Sequence, residues 1–420
     1  MVHYKKFTLD NGLRVLVHED HSTAMACVNI LYDVGARDEN PEQTGFAHLF
    51  EHLMFGGSVN IPNYDTPLQQ VGGENNAFTS NDITNYYITL PANNLETAFW
   101  LESDRMLSLA FSEQSLEVQR QVVIEEFKQR YLNQPYGDVW LKLRPLAYKE
   151  HPYRWATIGK ELKHIEDAKM EDVKAFFDTH YTPQHAIMVI AGDVDFEGVK
   201  SLAEKWFGDI PAGEKIERYL PQEPKQTEAR RETVEADVPL ESIYIAFHGE
   251  ERMHADYYAT DLISDILSRG SSSRLYRSLV KEEPIFSEVN AYMMGSLDTN
   301  LFVLEGKPSE GVSLADAEQA LWAQLERLKT ELVTEHELEK VKNKVESTMV
   351  FSELSILDKA MNLAYFELLG DADLYNQEIE KYLQVKPEDI RRVANAIFRE
   401  ENSSTLLYKP LVKETHAEQN

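Results

Sequence analysis

His48, Glu51 and His52 stand in the pentapeptide His48-Leu49-Phe50-Glu51-His52. On a helix, residues i and i+4 lie one above the other on the same face, so both imidazoles can reach one zinc ion. Glu51 edges that face, and a carboxylate there can take a proton from a metal-activated water. The chemistry implied is metal-assisted hydrolysis, of a peptide bond in the first instance. The order is the reverse of the commoner His-Glu-x-x-His zinc motif. The chain holds 13 histidines in 420 residues. With Glu as about one residue in ten, chance alone gives roughly 0.04 copies of the pattern. The bland alternative is a helix with two incidental histidines on a half-buried face.

A catalytic zinc needs a third protein ligand and one open position. Donor candidates lie in Gln119-Arg120-Gln121-Val122-Val123-Ile124-Glu125-Glu126. The segment reads as a helix opening near Ser112, an N-cap residue type, and Leu116, Val123 and Phe127 recur at helical spacing. Periodicity does not separate the two carboxylates. Glu126 shares a face with Val122 and Val123, Glu125 with Val118 and Val122. Either could be a solvated surface acid.

These residues point to a family. The chain resembles the pitrilysin-type zinc metallopeptidases, the inverzincins, as a half-size bacterial member similar to the beta subunit of mitochondrial processing peptidase. In that family the third ligand is the second Glu of a Val-hydrophobic-Glu-Glu helix some seventy residues beyond the motif. Glu126 matches, 74 residues after His52 (126 − 52). Gly72-Gly73-Glu74-Asn75-Asn76-Ala77-Phe78-Thr79 looks like the family's substrate strand, followed by Asp82-Ile83-Thr84-Asn85-Tyr86-Tyr87. Gly35-Ala36-Arg37-Asp38-Glu39, His151-Pro152-Tyr153 and Thr157-Ile158-Gly159 are similar to further family signatures. The matches run in family order over roughly the first 200 residues. The resemblance implies one zinc per chain on His48, His52 and Glu126, with Glu51 as the base. It also implies substrate contact at Asn76 and Ala77. The competing explanation for that strand is a plain turn built from Gly and Asn.

Composition is consistent with a large enzyme with a substantial core and more than one domain. No apolar run approaches the roughly 18 residues needed to span a membrane. Met1-Val2-His3-Tyr4-Lys5-Lys6 has no signal-peptide core, which gives a cytoplasmic expectation, or a periplasmic one for a trimmed mature form. One cysteine, Cys27, excludes an internal disulfide and any multi-Cys zinc site. The net charge of −29, from 42 basic and 71 acidic side chains, argues against nucleic acid and anionic membranes and speaks first to solubility; membrane insertion is not expected, for want of an apolar run.

The chain looks duplicated. Glu171-Asp172-Val173-Lys174 through Ala191 resembles Glu388-Asp389-Ile390-Arg391 through Tyr408 at an offset of 217 (388 − 171). Ser112-Glu113 has a counterpart in Thr334-Glu335, where Glu337 suggests a capping box. The expected organisation is an N-terminal domain over 1–215 carrying the metal site, a linker over 216–235, and an inactive homologous domain over 236–420. Strands are expected around the Asn11-Gly12 hairpin and over Cys27–Tyr32, Tyr86–Leu90 and Ala186–Ile190. Helices are expected over 95–109, 112–131 and 171–180. The fold class is α+β, with two similar domains, each a mostly antiparallel sheet with helices packed on one face. Tyr258 to Ser264, where a second motif would fall, contains no His. His18-Glu19-Asp20-His21 also pairs histidines with acids, but it follows a strand and reads as a solvated turn.

Two positions depart from the family. Gln119 stands where a second Glu is usual, seven residues before Glu126, and can support the site by hydrogen bonding without charge. The family also borrows an Arg and a Tyr from its C-terminal half to hold the substrate carbonyl. Here Val280 and Ser287, or Phe286 after a one-residue shift, occupy those places, while Arg274 and Tyr276 belong to another part of the signature. The expectation is a zinc endopeptidase of peptides or unfolded segments in an enclosed chamber. It would act as a homodimer or heterodimer with a homologous chain that supplies the Arg/Tyr pair. The alternatives are a non-catalytic scaffold subunit and a zinc hydrolase of non-peptide bonds.

Overall fold

The computed structural model describes residues 1–411. The chain forms two compact units that interleave along the sequence. The first comprises Met1–Phe127, His151–Pro221 and Glu346–Ile379. The second comprises Lys128–Glu150, Gln222–Val345 and the described chain from residue 380 onward. These units cross the contiguous 1–215 and 236–420 division at residues 128–150 and 346–379.

The first unit holds a six-stranded sheet. Its strands are β1 (Lys5–Thr8), β2 (Arg14–Glu19), β3 (Met25–Tyr32), β4 (Glu74–Thr79), β5 (Thr84–Pro91) and β6 (Ala186–Gly192), in the order β1-β2-β6-β3-β5-β4. Every neighbouring pair is antiparallel except β2 with β6. The Asn11-Gly12 turn forms as expected. Gly12 takes φ +89°, and the Asn11 amide donates to the carbonyls of Phe207 and Ile210 at 2.8 and 2.9 Å.

Alternation along β3 sends its residues to two different layers. Cys27 and Leu31 join Leu16, Ile187 and Val189 against Ala360, Leu363 and Ala364 of the helix Ile356–Leu368. Tyr32 points the other way and meets Tyr86 and Tyr181 edge-on or tilted, at 5.9 and 4.8 Å between ring centres. The central strands are therefore apolar on both faces, as burial on two sides demands. The helix on the Cys27 face comes from far down the chain.

The second unit repeats the plan without the first strand. Here β7 (Arg230–Ala236), β8 (Ser242–Gly249), β9 (Phe286–Met293), β10 (Asn300–Pro308) and β11 (Ser403–Pro410) lie in the order β7-β11-β8-β10-β9. One pair, β7 with β11, is parallel. Replacing β2, β6, β3, β5 and β4 by β7, β11, β8, β10 and β9 reproduces the order of the first sheet. The starts of β6 and β11 differ by 217 residues (403 − 186), the offset visible in the sequence. The core of this unit joins Ile243, Ile245 and Phe247 of β8 to Leu262 and Ile266 on the helix Tyr257–Ser268, and to Leu321 and Leu325 on the helix Leu314–Thr330.

Three local expectations need correction. The stretch expected as linker over 216–235 ends in β7, which binds β11 residue for residue from Arg230. Glu337 does not close a capping box with Thr334. Its backbone N–H does donate to the Thr334 hydroxyl oxygen at 3.1 Å, but its carboxylate is held by both arms of Arg274 at 2.8 Å, a stronger bidentate partner. The helix expected through Tyr131 is α-helical only over Glu113–Phe127, then widens to a π-helical turn at Lys128–Leu132.

Candidate metal centre and catalytic base

The helix Phe46–Leu53 carries the His48-to-His52 motif. Phe46, Ala47, Leu49, Phe50 and Leu53 are buried on it. Phe50 packs on Phe177 and Tyr181, with ring centres 5.6 and 4.3 Å away. That apolar face fixes the rotation of the helix, which leaves His48, Glu51 and His52 half-buried on the opposite side.

The helix start is held by a chain of buried polar contacts. Gly45 sits at φ +88°, and a Cβ there would lie 2.6 Å from the Ile158 carbonyl oxygen, so the position requires glycine. The two oxygens of Glu39 accept from the backbone N–H groups of Gly45 and Ala47, both at 2.9 Å. This satisfies amides that a helix N-terminus leaves open. Burial pushes the Glu39 carboxyl up to about 8, against the pull of those two amides. Thr44 presents its N–H and hydroxyl to His164 Nδ1 at 3.1 and 2.8 Å. Upstream, Arg37 pairs with Asp82 and Asp33, both at 3.2 Å, Tyr153 hydrogen-bonds Asp82, and Trp155 Nε1 donates to the Ala36 carbonyl at 2.9 Å. The Gly35-to-Glu39 and His151-to-Gly159 signatures thus brace the motif helix rather than touch the site.

The helix Glu113–Phe127 packs beside it through Leu116, Val123, Ile124 and Phe127. Ser112 caps it, its Oγ accepting from Ser115 N at 3.0 Å. Arg120 ties it down by donating to the Ile165 carbonyl at 3.2 Å and to that of Ala168. Docked in this way, Glu125 is exposed, and Glu126 is half-buried beside the histidines. Glu126 Oε2 lies 3.7 Å from His48 Nε2 and 3.5 Å from His52 Nε2. The two imidazole rings are 4.8 Å apart and nearly perpendicular. One donor atom from each of the three residues lies within 4.8 Å of the other two. Donors around a tetrahedral zinc, with bonds of about 2.0–2.1 Å, sit roughly 3.3 Å apart. Glu126 stands within a few tenths of an ångström of that spacing from both histidines, and two imidazoles with one carboxylate are the donor set that suits a zinc ion with one position left open.

Glu51 meets β4. The Thr79 hydroxyl donates to Glu51 Oε2 at 2.5 Å. Beneath it lie Tyr86 and Tyr181, whose hydroxyls burial keeps protonated, with the Glu51 charge adding in the same direction. Asn76 and Ala77 also lie on β4, the end strand of the sheet, in register with Tyr87 and Tyr86 of β5. Asn76 is exposed and Ala77 half-buried, and the Asn76 side chain accepts from the Ala77 N–H at 2.8 Å. Gly72 and Gly73 make the turn and Asn75 and Asn76 are in the strand, so the two halves of that signature do different work. Gln119 is half-buried two turns before Glu126 on the same helix.

The His18-to-His21 cluster keeps one internal contact, His18 Nε2 to Asp20 at 3.9 Å, and its other partners lie outside it. His18 Nδ1 meets the His3 carbonyl at 2.7 Å, His21 meets Asp193 at 2.7 Å, and Asp20 meets Lys359 at 2.6 Å. It is less solvated than expected, since His18 is 9% exposed. In the second unit, Val280 packs partly buried against the core, Phe286 is buried, and Ser287 Oγ donates to the Lys307 carbonyl at 3.1 Å. Glu39 and Thr79 stand in quoted signatures, yet spacing alone gave neither a role. Glu39 reaches a helix six residues ahead, and Thr79 reaches across from a strand.

Comparison with known proteins agrees with this architecture. Residues 14–158 match the family model described as insulinase (peptidase family M16), and residues 167–345 match the one described as peptidase M16 inactive domain. A zinc protease PqqE of Helicobacter pylori is 32% identical over 97% of this chain and 93% of its own length. A probable mitochondrial-processing peptidase subunit beta of Schizosaccharomyces pombe is 25% identical over 92% of this chain and 87% of its own. The crystal structure of a protease from Helicobacter pylori superposes with TM-score 0.91 at 31% identity, covering 98% of this chain and all of that one. Identity at this level over nearly the full length, on the same two-unit fold and with the His-x-x-Glu-His helix in place, puts the chain in the M16, or insulinase, family of metallopeptidases.

Proposed function

We propose that the chain is a zinc-dependent endopeptidase that hydrolyses peptides or unfolded segments. The observation that carries this reading is the convergence of His48, His52 and Glu126, with Glu51 one residue from His52 and anchored to β4. When bound by these three side chains, zinc would act as a Lewis acid toward water and the scissile carbonyl. Glu51 then accepts the proton of the attacking water and returns it to the departing amine nitrogen. Asn76 and Ala77 line up an extended peptide along the outer edge of β4, where main-chain hydrogen bonds bind with little sequence preference. Gln119 supports the Glu126 helix by hydrogen bonding. The division expected from sequence, with the metal-bearing domain over 1–215 and an inactive homologue over 236–420, is retained as the functional division.

The Arg/Tyr pair is the open part of this reading. Val280 and Phe286 carry no side-chain donor, and the short Ser287 hydroxyl already donates to the Lys307 carbonyl. We infer that a homologous chain supplies the pair in a homodimer or heterodimer. The same observation favours a second reading, a non-catalytic scaffold subunit. Among the described residues no helix is long and apolar enough to cross a membrane.

The test is cleavage of a quenched fluorescent peptide library by the purified chain, with and without a homologous chain, beside Glu51→Gln and with zinc content measured. Cleavage lost in Glu51→Gln supports the peptidase. Cleavage only in the mixture assigns the Arg/Tyr pair to the partner. Zinc bound with no cleavage in any combination supports the scaffold.

A further inference from the structure

We propose that Thr79 is a positioning residue for the catalytic base, holding the Glu51 carboxylate so that one oxygen faces the attacking water. The proposal rests on the peptidase reading. Thr79 closes β4 and pairs in register with Thr84 of β5. Its Oγ1 lies 2.5 Å from Glu51 Oε2, the short end of hydroxyl-to-carboxylate bonds. An ionised carboxylate only accepts, so the single hydroxyl proton of Thr79 is committed to Oε2. In the proposed reaction Oε1 would be the oxygen that takes the proton. A glutamate side chain has three rotatable bonds and wanders unless held. A β-branched residue on a strand is stiff about χ1, so its hydroxyl is an anchor of fixed direction. The motif helix and β4 are in contact, and the anchor therefore ties the base to the same strand that carries Asn76 and Ala77. Base and peptide would share one frame of reference. A bond made only for folding would leave turnover untouched once the protein is folded.

The experiment compares Thr79→Val, which keeps the shape and removes the donor, with Thr79→Ser, which keeps the donor. In the zinc-loaded chain, with its partner if one is needed, Thr79→Val should lower kcat about 10- to 100-fold. KM should stay within about threefold, zinc content and melting temperature should not change, and Thr79→Ser should recover most of the loss. Added to Glu51→Gln, Thr79→Val should cause no further loss. Full kcat in Thr79→Val, a change confined to KM, failure of Ser to rescue, or an undiminished effect on top of Glu51→Gln would each overturn the proposal. Crystal structures of the zinc-loaded wild type and Thr79→Val give a readout independent of turnover. Glu51 should hold one position within 3 Å of Thr79 Oγ1 in the first, and be displaced or split in the second. An ordered Glu51 in both sinks the proposal. A wild type inactive under all conditions that still shows the anchored Glu51 sinks the peptidase reading instead.

Discussion

At the scale of single residues, the site rests on which of two adjacent carboxylates faces the histidines. Glu126 does and Glu125 does not. Removing a zinc ligand weakens binding severely, whereas removing an exposed helix acid changes little. Glu126→Gln should therefore lose its zinc on dialysis against a mild chelator, while Glu125→Gln retains about one ion per chain. Equal retention in both variants, measured by atomic emission, would remove Glu126 from the ligand set. The family pattern named Glu126 from its distance to the motif. The periodicity of its own helix left both acids open, because 100° steps put each of them beside a valine.

At the scale of elements, the motif helix is positioned by its start. Gly45 combines a left-handed φ with a backbone oxygen 2.6 Å from any added Cβ. Gly45→Ala should cost about 2 kcal/mol or more, from a strained dihedral plus the clash. It should lower the unfolding midpoint and weaken zinc binding, and an unchanged midpoint would show that the turn relaxes. The helix behind it, Met170–His180, adds a pH dependence. Burial holds His180 down to about 4, reinforced by the nearby positive charges of His185 and Arg218 and opposed by Asp38 and Asp33. Its folded value lies below its ordinary one, so its contribution to stability is complete above about 6.5 and lost as pH falls toward 4. The stability difference between wild type and His180→Gln should move against wild type by about 2–3 kcal/mol across that window. Parallel denaturant curves from pH 7 to pH 4 measure it, and a constant difference would exclude the effect.

At the scale of the molecule, each compact unit is built from non-contiguous chain. The helix Ile356–Leu368 lies on the sheet of the unit that holds the metal ligands, though it begins more than 200 residues after Glu126. Leu363 is fully buried there. Leu363→Ala should cost about 2–5 kcal/mol, the usual range for a buried leucine. The loss should appear as zinc release at lower denaturant, because the ligands belong to that unit. Zinc release unchanged in Leu363→Ala would show that this face of the sheet does not support the site. The repeated strand order explains why the helix Tyr257–Ser268 can stand in the equivalent place without a histidine. The second unit keeps Leu262, Ile263 and Ile266 packed inward on its equivalent helix, so the fold needs that helix's apolar face and not its metal.

The sequence determined what short-range geometry fixes. His48 and His52 share a face because one helical turn separates them. The Asn11-Gly12 hairpin forms because Gly tolerates positive φ, and the duplication appears because two similar sheets need similar strands at similar spacing. Tertiary structure alone decided what depends on docking. Glu126 rather than Glu125 reaches the histidines because Leu116, Val123 and Phe127 set the rotation of their helix. Thr79 meets Glu51 because β4 passes beneath the motif helix. Residues 346–379 join the first sheet because its second apolar face needs a cover. Contacts between distant segments are chosen by which apolar surfaces bury each other best, and no pattern within either segment records the choice.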